Sequence, residues 1–429
     1  MNNSGKFAIK FLMIIIILLG IGNDGELNGQ LRKDPRSLGM GGAYTTIARD
    51  FFSVGVNPAN LGVVRNYIAM QLIQFNFGVS NSSLSLFEYN KFNGADLEEG
   101  NKKEELLSLI PDEGLSIYFD SSVQPVLGNI SWNNMAVTTD IYSIGEVTIP
   151  KAPFEIIFNG NEIGVDYSLE AGGESLTAAE IGFSNGGLFG GYLMGYTARI
   201  IKGIAYFGVD SSDANFLTDS SKIVGDGEYI MMSSRGGLGY SLDIGLLKVS
   251  KGGVHFGIAL INLLGKINWS DDNERIKYFY TIDNLNLNRV AKKGYSALVT
   301  GDNERTLLKE KFSTALPRLL RIGASTSYRK TLIAFDYIQG FSDRLYSSKV
   351  GKFSLGMEYY GESRTPFRFG ISAGGKEGKE IAVGLGVRLY KFKIDIASAM
   401  RGAYKPANAK GFELSISIWS ALGYRKRNS

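Results

Sequence analysis

The sequence carries a single histidine, His255, and no cysteine. Those two counts remove much chemistry before any spacing is considered. Disulfides, thiolate metal sites, a cysteine nucleophile and a lipoprotein anchor all need the missing thiol. One imidazole cannot build a multi-histidine metal centre, and it leaves a Ser-His-Asp triad one candidate base. His255 lies in an alternating run, where a packing contact or a hydrated side chain is the plainer reading. Asp271-Asp272-Asn273-Glu274 offers oxygen ligands for calcium, but without EF-hand spacing it reads as a solvated charge run. Gly39, Gly41 and Gly42 do not form a phosphate cradle, because GMGG is not GxGxxG and no strand precedes it. The net charge of +4, with no basic stripe, is too small for nucleic acid. No enzyme, metal, cofactor or nucleic-acid partner is expected.

The charges that do follow a pattern are Glu358, Arg368, Glu380, Arg388, Lys393 and Asp395. Each falls on the polar face of a run with period two. Glu380, Ala382, Gly384, Gly386 and Arg388 alternate with Ile381, Val383, Leu385, Val387 and Leu389. Lys393, Asp395 and Ala397 alternate with Phe392, Ile394 and Ile396. Glu358 and Arg368 hold the same place in the two preceding runs. Period two marks a strand with two unlike faces. The polar faces are glycine, serine and scattered charge of both signs, not the dense lysine and glutamate of a soluble strand. An apolar face toward lipid and a polar face toward a lumen fits a transmembrane barrel. The opposite register would place Arg388 or Lys393 in lipid, at roughly 2–4 kcal/mol each at mid-depth. A secreted β-sandwich or propeller would need a second apolar face. Glycine at 54 of 429 residues, with 25 Phe and 22 Tyr, suits a large sheet with aromatic belts.

Fourteen such runs are legible, at 64–79, 117–130, 135–147, 175–184, 191–208, 229–246, 253–265, 316–329, 331–341, 351–360, 366–374, 380–390, 391–401 and 410–420. An even number puts both ends of the wall on one side of the membrane. The connections alternate between short turns and longer loops, the longer ones at 80–116, 148–174, 209–228, 266–315, 342–350, 375–379 and 402–409. The short ones lie on the side of both chain ends, as periplasmic turns do. In the first run the apolar phase slips between Leu72 and Ile73, which predicts a bulge. Leu106, Leu107 and Ile110 predict a short lid helix within 101–110.

Residues 1–30 read as a signal peptide: Lys6 and Lys10 precede an apolar run, Phe11 to Ile21, too short to span a bilayer comfortably. A retained anchor helix is the rival. Residues 31–63 follow and lack alternation. Gly39, Gly41 and Gly42 permit backbone conformations closed to other residues. Ala43 to Arg49 predicts one or two helical turns, and Asn57-Pro58-Ala59-Asn60 a turn. In Leu38-Gly39-Met40-Gly41-Gly42-Ala43-Tyr44 and Asn57-Pro58-Ala59, this stretch resembles the N-terminal hatch of the FadL-like outer-membrane family, which includes the PorV-type proteins. Asn60 stands where many relatives carry glycine.

The resemblance implies a plug inside the barrel and passive passage of hydrophobic small molecules, fatty-acid-like, across the outer membrane of a Gram-negative-type bacterium. It leaves open a PorV-type protein-docking component linked to type IX secretion, or a structural barrel without transport. Expected partners are outer-membrane lipid, a hydrophobic small-molecule ligand, or secretion-system proteins. The expected architecture is all-β: a transmembrane antiparallel β-barrel of about 14 strands over 64–420. A hatch at 31–63 precedes it, and a basic periplasmic tail at 421–429 follows it. A barrel of this width leaks unless its lumen is occupied. The six patterned charges either pin the plug or pair with one another across a wet lumen. Phe154 to Phe158, with the helix near Leu106, is the expected outer landing site.

Overall fold

The computed structural model describes residues 34–423 except 98, 287, 288, 292, 293, 295–297, 308–310, 346, 361–364 and 377. The expected signal peptide and the Arg425-Lys426-Arg427 tail lie outside the described residues. Fourteen strands close into one antiparallel barrel. They are β1 Arg65–Asn81, β2 Leu115–Gln124 with Ile130–Asn133, β3 Met135–Ile149, β4 Gly172–Phe189 and β5 Tyr192–Thr218. Next come β6 Ile223–Ser234 with Gly236–Val249, and β7 Val254–Ile261 with Lys266–Asp271 and Glu274–Leu285. Then follow β8 Val299–Leu307 with Phe312–Ala315 and Leu319–Tyr328, β9 Thr331–Gly340 and β10 Lys352–Tyr360. The last are β11 Pro366–Gly374, β12 Lys379–Leu389, β13 Phe392–Arg401 and β14 Gly411–Leu422. Sequential strands are neighbours, and β14 closes on β1 with Ile416 opposite Phe75 and Phe412 opposite Val79.

The faces follow the alternation. On β12, Glu380 and Ala382 are buried inward while Val383, Leu385 and Val387 are exposed outward. On β10 and β11, Glu358 and Arg368 point inward while Met357 and Phe367 point outward. An exposed apolar band around a closed ring is a surface made for lipid, as in outer-membrane barrels. Arg329 and Tyr390 sit in tight turns at positive φ, 54° and 53°, which lets two-residue connections reverse the chain.

The structure corrects the reading of 209–228 and 266–315 as loops. Both are largely strand. β5 and β6 pair out to Thr218 and Ile223, and β7 and β8 to Ile282 and Val299. β5 alone is 27 residues, where about ten cross a membrane. These hairpins therefore stand beyond the lipid. They carry charge on both faces, so a test for one apolar face passes over them. The bulge in β1 is present: the pairing with β14 steps from Gln71 to Ile73. Beside it β2 is interrupted between Gln124 and Ile130, and the amides of Gln71, Gln74, Gln124 and Asn129 fill the inner face there. Gln71 Nε2 donates to Gln74 Oε1 at 2.8 Å, and Asn129 Nδ2 to Gln124 Oε1 at 2.6 Å.

Among the described residues, the connections at 80–116 and 148–174 carry three helices. Lys102–Ser108 falls where the sequence placed a lid helix, and Ala152–Asn159 covers the apolar Phe154 to Phe158 stretch. Leu86–Phe92 was not foreseen, although Ser85 and Glu88 form a reciprocal capping box that the sequence spells out.

Candidate functional site in the lumen

Residues 34–62 lie inside the ring of strands, and their apolar side chains, Met40, Tyr44 and Phe51 among them, are buried. The segment opens with a one-turn helix, Pro35–Gly39. Asp34 caps it, accepting from the backbone N–H of Arg36 at 2.9 Å and of Ser37 at 3.1 Å. The Asp-Pro pair is a start signal that sequence reasoning missed. Burial pushes the Asp34 carboxyl up to about 6, against the pull of those two donors. The helical turns expected at 43–49 amount to one turn, with Ile47 and Ala48 both donating to the Tyr44 carbonyl. Asn57 then caps a 3-10 turn, Pro58–Gly62, by accepting from Ala59 N–H at 3.1 Å.

Glycines of the wall face this segment. A Cβ on Gly370 would overlap the Met40–Gly41 backbone, one on Gly195 would overlap Pro58, and Gly39 meets Gly384. Gly41 and Gly42 turn the chain at φ 62° and 88°. The glycine excess on the polar strand faces is thus partly the clearance that an inner chain requires.

Two polar knots hold the segment. In the first, Asp336 on β9 accepts from Tyr44 N–H at 2.9 Å, Thr45 N–H at 2.8 Å and the Thr45 hydroxyl at 2.6 Å. Arg321 on β8 donates to the same carboxylate at 3.1 Å, to the Gly42 carbonyl at 3.1 Å and to Thr45 Oγ1 at 3.0 Å. Both side chains are fully buried. In the second, Arg36 grips Glu358 through Nε at 2.8 Å and Nη2 at 2.6 Å. Arg368 then bridges Glu358 at 2.6 Å and Asp395 at 2.7 Å, and Trp419 Nε1 donates to Asp395 at 2.9 Å.

The six patterned charges are thus divided. Glu358 holds the segment directly, while Arg368 and Asp395 back it. Glu380 meets Lys352 of the wall at 3.5 Å. Arg388 and Lys393 stand at the short-turn mouth. Of the residues expected to form a hatch, Gly39, Met40, Gly41, Gly42, Ala43 and Tyr44 lie along β9 to β12, and Asn57, Pro58 and Ala59 on the opposite wall, where Asn57 Nδ2 donates to the Leu246 carbonyl at 3.2 Å. Asn60 ties the limbs together by donating to the Thr45 carbonyl at 3.0 Å, which a glycine there could not do. Asp336 and Arg321 were missed, yet the two-residue turn at Arg329-Lys330 places Gly323 opposite Asp336 and so sets Arg321 diagonal to it.

The outer half of the lumen is filled differently. Tyr142, Leu176, Ile201, Tyr206, Ile267, Trp269 and Leu316 form one buried apolar layer, with Phe312 against it. Tyr206 and Trp269 lie 5.5 Å apart, and Trp269 Nε1 donates to Thr314 Oγ1 at 3.0 Å. The β9–β10 connection turns inward and buries Leu345 in this layer. Its neighbour Arg344 holds Glu174 through Nε at 2.9 Å and Nη2 at 2.5 Å, and Tyr206 donates to the same carboxylate at 3.0 Å. The Arg344 side chain is 60% exposed, so solvent screens the pair and losing it costs about 0.5–1 kcal/mol, or roughly two- to fivefold in opening. In a Ser347→Cys background, Arg344→Ala is therefore expected to speed labelling by a membrane-impermeant thiol reagent about two- to fivefold. The native chain has no cysteine to confuse the readout. An unchanged labelling rate would show that the ion pair does not hold the loop.

At the short-turn end, under the segment, lies a cavity of about 260 Å³. Phe52, Leu332 and Trp419 give it an apolar side, and Arg49, Arg388 and Lys393 a cationic one. His255 also lines it.

No family model and no curated protein matches the sequence. Solved structures do resemble it. The toluene transporter TbuX of Ralstonia pickettii has 13% identity and a TM-score of 0.53, covering 92% of this chain and 100% of that one. The toluene transporter TodX of P. putida has 10% identity and a TM-score of 0.51, covering 92% and 100%. A FadL homologue of Pseudomonas aeruginosa has 10% identity and a TM-score of 0.51, covering 92% and 99%. At such identities the likeness is one of fold: this chain is a fourteen-stranded barrel built as the FadL-type hydrocarbon transporters are.

Proposed function

We propose that this protein is an outer-membrane channel for the passive uptake of small hydrophobic molecules, with residues 34–62 as its plug. The observation that carries the reading is the apolar layer around Tyr206 and Trp269, which crosses the lumen where a porin is wet. A hydrophobic solute gains by entering such a layer, and an ion does not. The helices Lys102–Ser108 and Ala152–Asn159 make the outer landing site in this scheme. From the layer the solute meets the plug and leaves sideways at the interrupted β2, where the amides of Gln71, Gln74, Gln124 and Asn129 fill the inner face. The fold's resemblance to toluene transporters supports the same direction of argument. No catalytic step is part of this reading.

The test is uptake of labelled toluene by a Gram-negative host that lacks its own hydrocarbon channel. Expression should raise the initial rate, and Trp269→Glu should remove the increment by placing charge in the layer. A folded barrel with no increment would end the reading. A long-chain fatty acid run in parallel decides between a hydrocarbon and a fatty-acid-like substrate. Affinity capture that returns a secretion-system protein and no uptake would favour docking instead.

A further inference from the structure

We infer that Leu345 sits in the solute's own seat: the β9–β10 connection closes the apolar layer with one of its side chains, and a hydrocarbon enters by displacing it. This rests on the uptake reading and names the seat within it. Tyr142, Leu176, Ile201, Tyr206, Ile267 and Trp269 reach the layer from strands of the wall, whereas Leu345 belongs to the connection 341–351. Leu345 is 1% exposed, although the Arg344 side chain beside it is 60% exposed. Its backbone holds φ at 49°, a left-handed conformation that a large L-residue adopts only at a cost. Such strain persists where the surroundings enforce it, and it favours release. The loop is also tied within itself. Lys349 N–H donates to Asp343 Oδ1 at 2.8 Å, and Ser347 N–H to the Arg344 carbonyl at 3.0 Å, so the loop can withdraw as one body.

The tie between this loop and the wall runs through a residue of the layer. Arg344 and Tyr206 share the Glu174 carboxylate. The Tyr206 ring lies 5.5 Å from Trp269 and 5.4 Å from Phe312. A solute that enters between these rings shifts Tyr206, and with it the carboxylate that holds Arg344. Withdrawing Leu345 leaves an apolar void, which is unfavourable when empty and is well filled by a hydrocarbon. Trp269 Nε1 is engaged by Thr314 Oγ1 and the Tyr206 hydroxyl by Glu174, so the exchange is apolar for apolar.

The experiment is labelling of Ser347→Cys in the full chain by a membrane-impermeant thiol reagent, with and without toluene. Ser347 is buried, so its labelling reports withdrawal of the loop. A solute that binds only the open form multiplies the open population by one plus the ratio of its concentration to its dissociation constant. At about ten times that constant, toluene should therefore speed labelling about tenfold. Leu345→Ala added to Ser347→Cys should remove the response, because toluene then fits the layer without moving the loop. Ser415→Cys, buried on the inner face of β14, should label at the same rate with and without toluene. Heat-dependent gel mobility verifies that each variant is folded. Labelling that toluene leaves unchanged or slows overturns the proposal, as does a response that survives Leu345→Ala or appears equally at Ser415→Cys. Toluene uptake without faster labelling removes the seat and keeps the uptake reading. Faster labelling without uptake removes the uptake reading and keeps the seat.

Discussion

Asp336→Ala is expected to destabilise the barrel by about 3–5 kcal/mol and to loosen the first limb of residues 34–62. The carboxylate accepts three hydrogen bonds from Tyr44 and Thr45 and one from Arg321, at full burial. Removing it leaves two backbone N–H groups without an acceptor and a guanidinium without a counter-charge. The second loss dominates, since a buried charge stripped of its partner costs more than a neutral group. The double variant Asp336→Ala with Arg321→Leu should therefore regain at least half of the lost stability. The midpoint of denaturant unfolding in detergent, followed by tryptophan fluorescence, measures both. A single variant that unfolds like the parent would mean that the knot is hydrated and the segment is held by packing alone.

Deleting residues 39–61, together with Arg344→Ala to free the loop that seats Leu345 in the apolar layer, is expected to turn a closed barrel into an ion-conducting pore. The strand faces that meet this segment are glycine and serine with paired charge, and without the segment they would line a water-filled passage. Glu358, Asp336 and Arg321 would then be solvated and would make the passage polar. Planar-bilayer recording should give discrete conductance steps for the deletion variant and none for the parent. If the deletion variant stays silent while folded, the layer around Trp269 and Leu345 seals the lumen unaided. The plug role would then fall.

Much of the wall could be read from the chain because lipid imposes a rule on every residue at once. A strand with grease on one face and glycine, serine or charge on the other has one sensible register, so the runs around Glu358, Arg368 and Glu380 announced both strand and face. The β1 bulge was legible for the same reason: one extra residue reverses the phase at Leu72. The hairpins beyond the membrane were not legible, because no lipid disciplines Tyr278 or Lys277 there and either face can be polar. The helix Pro35–Gly39 was overlooked although Asp34 and Pro35 signalled it.

By itself, then, the sequence determined the strand order, the inside and outside of the wall, that the wall begins and ends on one side, and that residues 34–62 belong to something other than the wall. Each of these follows from local periodicity or from chain connectivity. The tertiary structure alone decided which charges serve the segment and which serve the wall. Arg36 and Glu358 are 322 residues apart, and nothing local says that they meet. Tyr206, Trp269, Phe312 and Leu345 come from four separate stretches and become one apolar layer only when the ring closes. Closure of the ring is a long-range event, and so the contents of the lumen are set by it and not by any stretch of the chain.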